Sequence, residues 1–227
     1  MSRVHVICEG QTEETFVNEV LAPHLGRFDV YPAAALVGKP GRKGGAVTTA
    51  RMLGDISLRL MSDSEAHCTT FFDFYGLDSN FAGKEAALAL NDFCRKAELV
   101  EQALTEKVLE KVGQNTHRRF IPYIQMYEFE GLLFSDPAKL ASGIGEPELA
   151  ISFSAIRTEF TTPEEINDSR ITAPSKRILQ LMPRYEKPLF GSLAALEIGL
   201  DTIRRECRRF DGWITRLEEL NVPTIQG

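Results

Sequence analysis

Two acidic residues stand where apolar runs stop. Glu9 follows the β-branched segment VHVIC (residues 4–8), and Asp73 lies near the end of TTFFDF (residues 69–74). A carboxylate at the edge of a hydrophobic core is costly to desolvate unless something shares its charge. A divalent cation can share it with several carboxylates at once, and hard oxygen ligands suit Mg²⁺ or Mn²⁺. A third acidic point, Glu128 and Glu130 in EFE, follows FIPYIQMY (residues 120–127). Any one of these acids alone could be a helix-start residue or half of a salt bridge. Three acidic points at three strand ends read together as a metal site.

Basic residues supply the complement that phosphate chemistry needs. Arg170, Lys176, Arg177, Arg184 and Lys187 stand within one stretch against the single acid Glu186. Arginine offers phosphate a bidentate fork and lysine a point charge, so Lys187 or Arg177 could neutralise a phosphate under attack. The competing reading of each is a solvated basic face. A second electropositive stretch, GKPGRKGG (residues 38–45), carries Lys39, Arg42 and Lys43. It lacks the spacing of a phosphate-binding P-loop and suits contact with a nucleic-acid backbone better. RRECRR (residues 204–209) reads as the polar face of the last helix. His5, His24, His67 and His117 show no metal spacing, no G-x-S-x-G supports a serine hydrolase, and no G-x-G-x-x-G follows a strand.

The elements that must position these groups alternate. Strands are expected at residues 4–8, 30–37, 69–74 and 120–127, the last with Pro122 near its start, which fits either a sheet edge or a first-residue position. The first strand leads through Glu9-Gly10 into a helix that Thr12 could cap, with Glu13 and Glu14 in its first turn. A second helix is expected over residues 47–61. The series Phe93, Ala97, Val100, Leu104 and Val108 predicts a long third one. Strand–helix alternation of this kind builds a mostly parallel α/β sheet flanked by helices. Ligands then collect at the carboxyl ends of its strands. After Ser135 only helical segments are expected, closing with a seam of Ile203, Cys207, Phe210, Ile214 and Leu217. The chain thus divides into an α/β part (residues 1–135) and a helical C-terminal region (residues 136–227) packed on it.

Composition limits the function. With 227 residues, 43% hydrophobic and 26% charged, the chain can bury a substantial core. Its net charge of −6 argues against non-specific coating of nucleic acid but leaves room for a local basic patch. No apolar run approaches the roughly 20 residues of a membrane span. The N-terminal residues lack the pattern of a secretion signal, so a cytoplasmic location is expected. Cys8, Cys68, Cys94 and Cys207 are widely spaced and read as buried small hydrophobes.

The motif EGQTE after a hydrophobic strand resembles the E-G-x-T-E of TOPRIM-type domains, which occur in primases, topoisomerases and overcoming-lysogenization-defect (OLD) nucleases. More closely, EGQTEETF, FFDFYG, FIPYIQMYEFEGLLFSD, APSKR and CRRFDGWITRLEEL resemble a bacterial TOPRIM-like family known as domain of unknown function 4276. The resemblance implies a TOPRIM-like fold in which Glu9 is a metal ligand or general acid/base and Asp73 is the first acid of a D-x-D motif. Tyr75 stands where the second acid belongs. A second ion would recruit Asp78, Glu128 or Glu130, so the implied metal set is Glu9, Asp73, Asp78 and Glu130. Lys187 or Lys176 would match the lysine that assists some OLD-type nucleases. The implied function is a Mg²⁺- or Mn²⁺-dependent nuclease, acting with an ABC- or AAA-type ATPase encoded nearby in bacterial anti-phage defence. The competing expectation is a degenerate subunit that docks nucleic acid or the ATPase without cleaving.

Overall fold

A computed structural model describes residues 1–38, 46–167 and 171–221. Lys39, Arg42, Lys43 and Arg170 lie outside the described residues. Strand β1 (Ser2–Cys8) runs into helix α1 (Gln11–Phe16), which continues through a π-helical turn (Val17–Leu21) into α2 (Ala22–Leu25). Then follow β2 (Val30–Leu36), α3 (Thr49–Ser62), β3 (His67–Asp73), α4 (Lys84–Leu88), α5 (Phe93–Val112), α6 (Gln114–His117), β4 (Phe120–Ile121) and β5 (Ile124–Gln125). Beyond β5 the described chain is helical: α7 (Glu130–Leu133), α8 (Pro137–Gly143), α9 (Ala150–Thr158), α10 (Pro174–Leu181), a π-helical turn (Lys187–Gly191), α11 (Ser192–Ile198), α12 (Leu200–Glu206) and α13 (Arg208–Glu218). Among the described residues, no helix is long and apolar enough to cross a membrane.

The strands form one sheet in the order β2-β1-β3-β4, with β5 also on β3, and every ladder is parallel. Side-chain alternation divides the sheet between two cores. Val4, Val6, Cys8 and Phe71 face α1 and the C-terminal helices, whereas Ile7, Cys68 and Phe72 face α3 and α5. The long helix α5 buries Ala97, Val100, Leu104 and Val108 as its spacing requires, and Asp92 caps it by accepting the Arg95 N–H at 2.8 Å. The architecture is therefore the expected mostly parallel sheet flanked by helices, with a C-terminal helical region.

Local departures from the sequence expectations have identifiable causes. The fourth strand is two short pieces, because Pro122 has no N–H to give the ladder. The Thr70 hydroxyl fills the gap, accepting the Tyr123 N–H at 3.2 Å and donating to the Tyr123 carbonyl at 2.8 Å. A second proline, Pro32, sits within β2 at the opposite edge, where it pairs with Val4. Helix α1 is capped by Gly10 rather than Thr12, and the Glu13 carboxylate reaches back to the Gly10 N–H at 3.0 Å. The closing seam is two helices rather than one. The Glu164 carboxylate accepts the N–H groups of Arg209 (3.0 Å) and Phe210 (3.1 Å), so a new helix starts at Arg208. RRECRR therefore spans a helix break. Its Arg209 turns inward to Glu101 at 2.6 Å, and its Arg204 pairs with Asp211 and Glu218.

The C-terminal helices share one layer with α1 and α2. Trp213 of α13 stacks on Tyr123 with ring centroids 4.4 Å apart and donates its indole N–H to the Thr69 hydroxyl at 2.8 Å. Phe71 of β3 touches Phe16, Phe129, Phe210 and Trp213. Cys8, Cys68 and Cys207 are buried and Cys94 partly so, all as free thiols, and burial pushes the Cys68 thiol up to about 12. Replacing Trp213 by Ala removes a stacked ring and one of the two hydrogen bonds of the buried Thr69 hydroxyl, which still donates to the Ile121 carbonyl at 2.6 Å. It should destabilise the protein by about 3–5 kcal/mol, read from the denaturant midpoint at unchanged slope. A loss below 1 kcal/mol would show that α13 contributes little to the sheet's cover.

Candidate functional site

Glu9 and Asp73 end adjacent parallel strands, so both emerge at the same edge of the sheet. The Glu9 carboxylate accepts the Asp73 backbone N–H at 3.1 Å. Gly76 lies against that carboxylate so closely that a methyl group built there would overlap it. Asp73 is 4% exposed, and its Oδ1 accepts the Phe129 N–H at 2.7 Å. That N–H is aimed by a turn in which Tyr127 adopts φ 60°, a left-handed conformation that costs a bulky residue energy. The Tyr127 carbonyl accepts the Tyr75 N–H at 3.1 Å, tying this turn to the end of β3.

The acids converge on one cation. The Lys187 ammonium lies 2.7 Å from Asp73 Oδ2, 3.2 Å from Glu130 Oε2 and 3.4 Å from Glu13 Oε1. Glu130 is fully buried, and among the described residues neither of its oxygens has a hydrogen bond of good geometry, nor does Glu13 Oε1. Lys187 reaches the acids from the π-helical turn before α11. Gly191 brings that turn close, since a Cβ there would lie 3.3 Å from the Thr12 methyl and 3.0 Å from the Tyr185 hydroxyl oxygen. The side chains therefore come from β1, α1, β3, α7 and the C-terminal region.

Four carboxylates, with Glu9, face one ammonium. Desolvation pushes the Asp73 carboxyl well above its usual range; Lys187 opposes the shift, while Glu13, Glu9 and Glu130 add to it. Glu130 and Glu9 are raised for the same leading reason, again against the pull of Lys187. Burial alone would lower the Lys187 ammonium, but Asp73, Glu130 and Glu13 outweigh it and hold the pKa well above the ordinary value. Burial and the neighbouring Glu130 push the Tyr185 phenol up.

Of the residues singled out by sequence, Glu9, Asp73, Glu130 and Lys187 come together. Glu128 does not join them. It accepts the Ser175 N–H at 2.8 Å and so caps α10. Asp78 caps its own loop by accepting the Asn80 N–H at 2.9 Å. Arg177 is engaged within the helical region by Glu159, the Thr172 carbonyl and the Phe160 ring. Lys176 is exposed on α10. Tyr75 packs its ring on Tyr127 and donates its hydroxyl to Asn167 at 2.8 Å. Sequence reasoning missed the role of Glu13, because a first-turn acid reaching back to its cap looks the same whatever its other oxygen meets. Its place four residues after Glu9, across a tight strand–helix junction, was the available signal. Tyr185, Gly76 and Gly191 left no such signal.

Among the described residues, no three His, Cys, Asp or Glu side chains are spaced to hold a metal ion as they stand; the Lys187 ammonium takes the central place. The donor set nonetheless fits a divalent cation in kind. The oxygens are hard, those of Glu130 and one of Glu13 lack hydrogen bonds, and the negative charge exceeds what one lysine balances.

Because the folded-state pKa values of Asp73, Glu9 and Glu130 stand above the unfolded values of about 4, their contribution to stability is complete below about pH 4. It is lost as pH rises through the folded values. Lys187, also raised, keeps its contribution below about pH 10.4. Metal-free protein at neutral pH therefore bears the cost of the acids. Glu130→Gln should match wild type near pH 4 and exceed it in stability at pH 7.5, with EDTA present, in urea titrations. A variant less stable than wild type at both values would mean that pairing, not desolvation, dominates at Glu130.

Comparison with known proteins gives no match among curated sequences. Among solved structures, the chain is similar to the C-terminal region of the Burkholderia pseudomallei OLD protein, at 14% identity and a TM-score of 0.49, covering 96% of this chain and 99% of that one. It is also similar to the C-terminal region of the Xanthomonas campestris pv. campestris OLD protein, at 15% identity and a TM-score of 0.43, covering 95% and 97%. A family model matches residues 8–218, a span that includes Glu9, Asp73, Glu130 and Lys187, and on that match the chain belongs to the family described as Domain of unknown function (DUF4276).

Proposed function

We propose that this cleft is the active site of a TOPRIM-like nuclease that hydrolyses phosphodiester bonds with Mg²⁺ or Mn²⁺. The observation that carries the reading is Glu130, a fully buried carboxylate without a well-formed hydrogen bond, beside Asp73 and Glu13 at the carboxyl ends of parallel strands. Structural acids in a core are normally hydrogen-bonded throughout. Glu9, Glu13, Asp73 and Glu130 would hold the metal. When bound, the ion would polarise a phosphoryl oxygen and lower the pKa of a water.

The chain's own residues divide the remaining work. Phe129 N–H fixes Asp73, and Asp73 N–H fixes Glu9, so both carboxylates are oriented before substrate arrives. Glu9 is only half-buried and has a raised pKa, which suits it to accept a proton from the attacking water. Lys187 supplies positive charge where phosphate charge builds up. Lys176 lies on the exposed side of α10, whose start is pinned to Glu128, and suits contact with the nucleic-acid backbone. The motif resemblance extends the reading to an ABC- or AAA-type ATPase partner and a role in anti-phage defence.

One observation favours a second reading. Tyr75, in place of a second acid, is committed to Asn167 and Tyr127, as in a subunit that docks nucleic acid without cutting it. The purified protein, alone and with any ATPase found encoded beside it, should be assayed on single- and double-stranded DNA and RNA with Mg²⁺ or Mn²⁺. Asp73→Ala should lower the rate by more than the roughly 10–100-fold typical of an outer-shell change. Gly76→Ala, which displaces the Glu9 carboxylate, should act in the same direction while costing about 1–3 kcal/mol of stability. Wild-type protein that binds nucleic acid but cleaves none of these substrates would overturn the nuclease reading in favour of the docking one.

A further inference from the structure

We propose that Lys187 is a removable internal counter-cation. Without metal its ammonium holds Asp73, Glu130 and Glu13 together, and a divalent cation binds by taking those carboxylates from it. The proposal rests on the metal-dependent reading above and specifies how that site is kept closed and how it opens.

Three observations carry it. First, Lys187 makes ion pairs with three acids that are 6% exposed or less, although among the described residues no three acids are spaced to share a metal directly. The ammonium thus occupies the point on which three carboxylates converge. Second, the fit is electrostatic more than directional. The ammonium forms a hydrogen bond with Asp73 at 2.7 Å, whereas Glu130 Oε2 at 3.2 Å and Glu13 Oε1 at 3.4 Å are ion-paired to it with no hydrogen bond of good geometry among the described residues. A monovalent group that balances charge but leaves oxygens unsatisfied is open to displacement by an ion that offers more charge and more coordination positions. Third, Asp73 and Glu13 are each held by a backbone N–H independently of Lys187. The Lys187 side chain is 33% exposed, while the acids belong to β3, α1 and α7, the two anchors being at Asp73 Oδ1 and Glu13 Oε2. Four rotatable side-chain bonds suffice to swing the ammonium toward the open side of the cleft.

A fixed structural lysine and a displaceable one differ in the sign of what their removal does. If Lys187 only braces the acids, losing it lowers both stability and metal affinity. If it competes with metal, losing it lowers metal-free stability and raises metal affinity.

The test is Mn²⁺ binding, followed by the electron paramagnetic resonance of free Mn²⁺, and thermal unfolding in EDTA, for wild type, Lys187→Gln and Lys187→Arg. Lys187→Gln should bind Mn²⁺ more tightly, on the order of tenfold or about 1.4 kcal/mol, and melt at a lower temperature in EDTA. Lys187→Arg should stay close to wild type in both. A measurement on wild type alone guards against a variant that does not fold. Acetylation read by mass spectrometry should mark Lys187 slowly in EDTA and several-fold faster with Mn²⁺, with the exposed Lys107 unchanged as reference. If wild type binds Mn²⁺, equal or weaker binding by Lys187→Gln, or unchanged labelling of Lys187, overturns the proposal and leaves the nuclease reading standing. If neither wild type nor Lys187→Gln binds Mn²⁺, metal dependence itself fails and the proposal with it.

Discussion

One ammonium among four carboxylates is the constraint on which the rest of the cleft depends. Asp73 is its pivot, accepting the Lys187 ammonium on one oxygen and the Phe129 N–H on the other. Removing one member of such a buried set leaves the others uncompensated, which is why their positions are so closely linked. The surrounding backbone is shaped to that end. Tyr127 holds a left-handed turn, Gly76 leaves room for the Glu9 carboxylate, and Gly191 lets the lysine-bearing turn approach α1. None of these features improves the packing of the sheet. They make sense as the local cost of keeping charge at a strand edge.

The sheet and the C-terminal helices are joined twice over. The aromatic contacts of Phe71 and Tyr123 with Phe210 and Trp213 fasten the layers together. The ion pairs of Lys187 fasten them again at the carboxyl end of the strands. The acids therefore come from the first 130 residues and the cation from Lys187 in the helical part that follows. A shift of the helical layer changes the charge balance around Asp73 directly.

Much of this was legible in the sequence where local pattern and tertiary role coincide. Apolar runs and helical spacing located β1, β2, β3 and α5 to within a few residues, because burial imposes the same periodicity that the eye detects. Glu9, Asp73 and Glu130 stood out because a charge at the end of an apolar run is already anomalous. Lys187 stands in the sequence only as an alternative to Arg177 and Lys176, since nothing near it in the chain separates them; only the fold reveals which basic residue turns inward. Glu128 and Glu130 exchange meanings for a similar reason: EFE does not show that one acid caps α10 while the other is buried. The break between α12 and α13 is set by Glu164, far away in the chain, and no window of sequence around Cys207 contains that information.

The two prolines at the margins of the sheet have a consequence for how the protein can meet others. Pro32 lies within β2 on one edge, and Pro122 interrupts β4 and β5 on the other, where the Thr70 side chain completes what the backbone lacks. An incoming strand needs an unbroken row of donors and acceptors to zip onto a sheet, and here neither margin offers one. Runaway stacking of one molecule on the next is discouraged at both sides. Assembly with another macromolecule is left to helix surfaces and to the mouth of the acidic cleft, where contact is made by side chains and read by shape and charge.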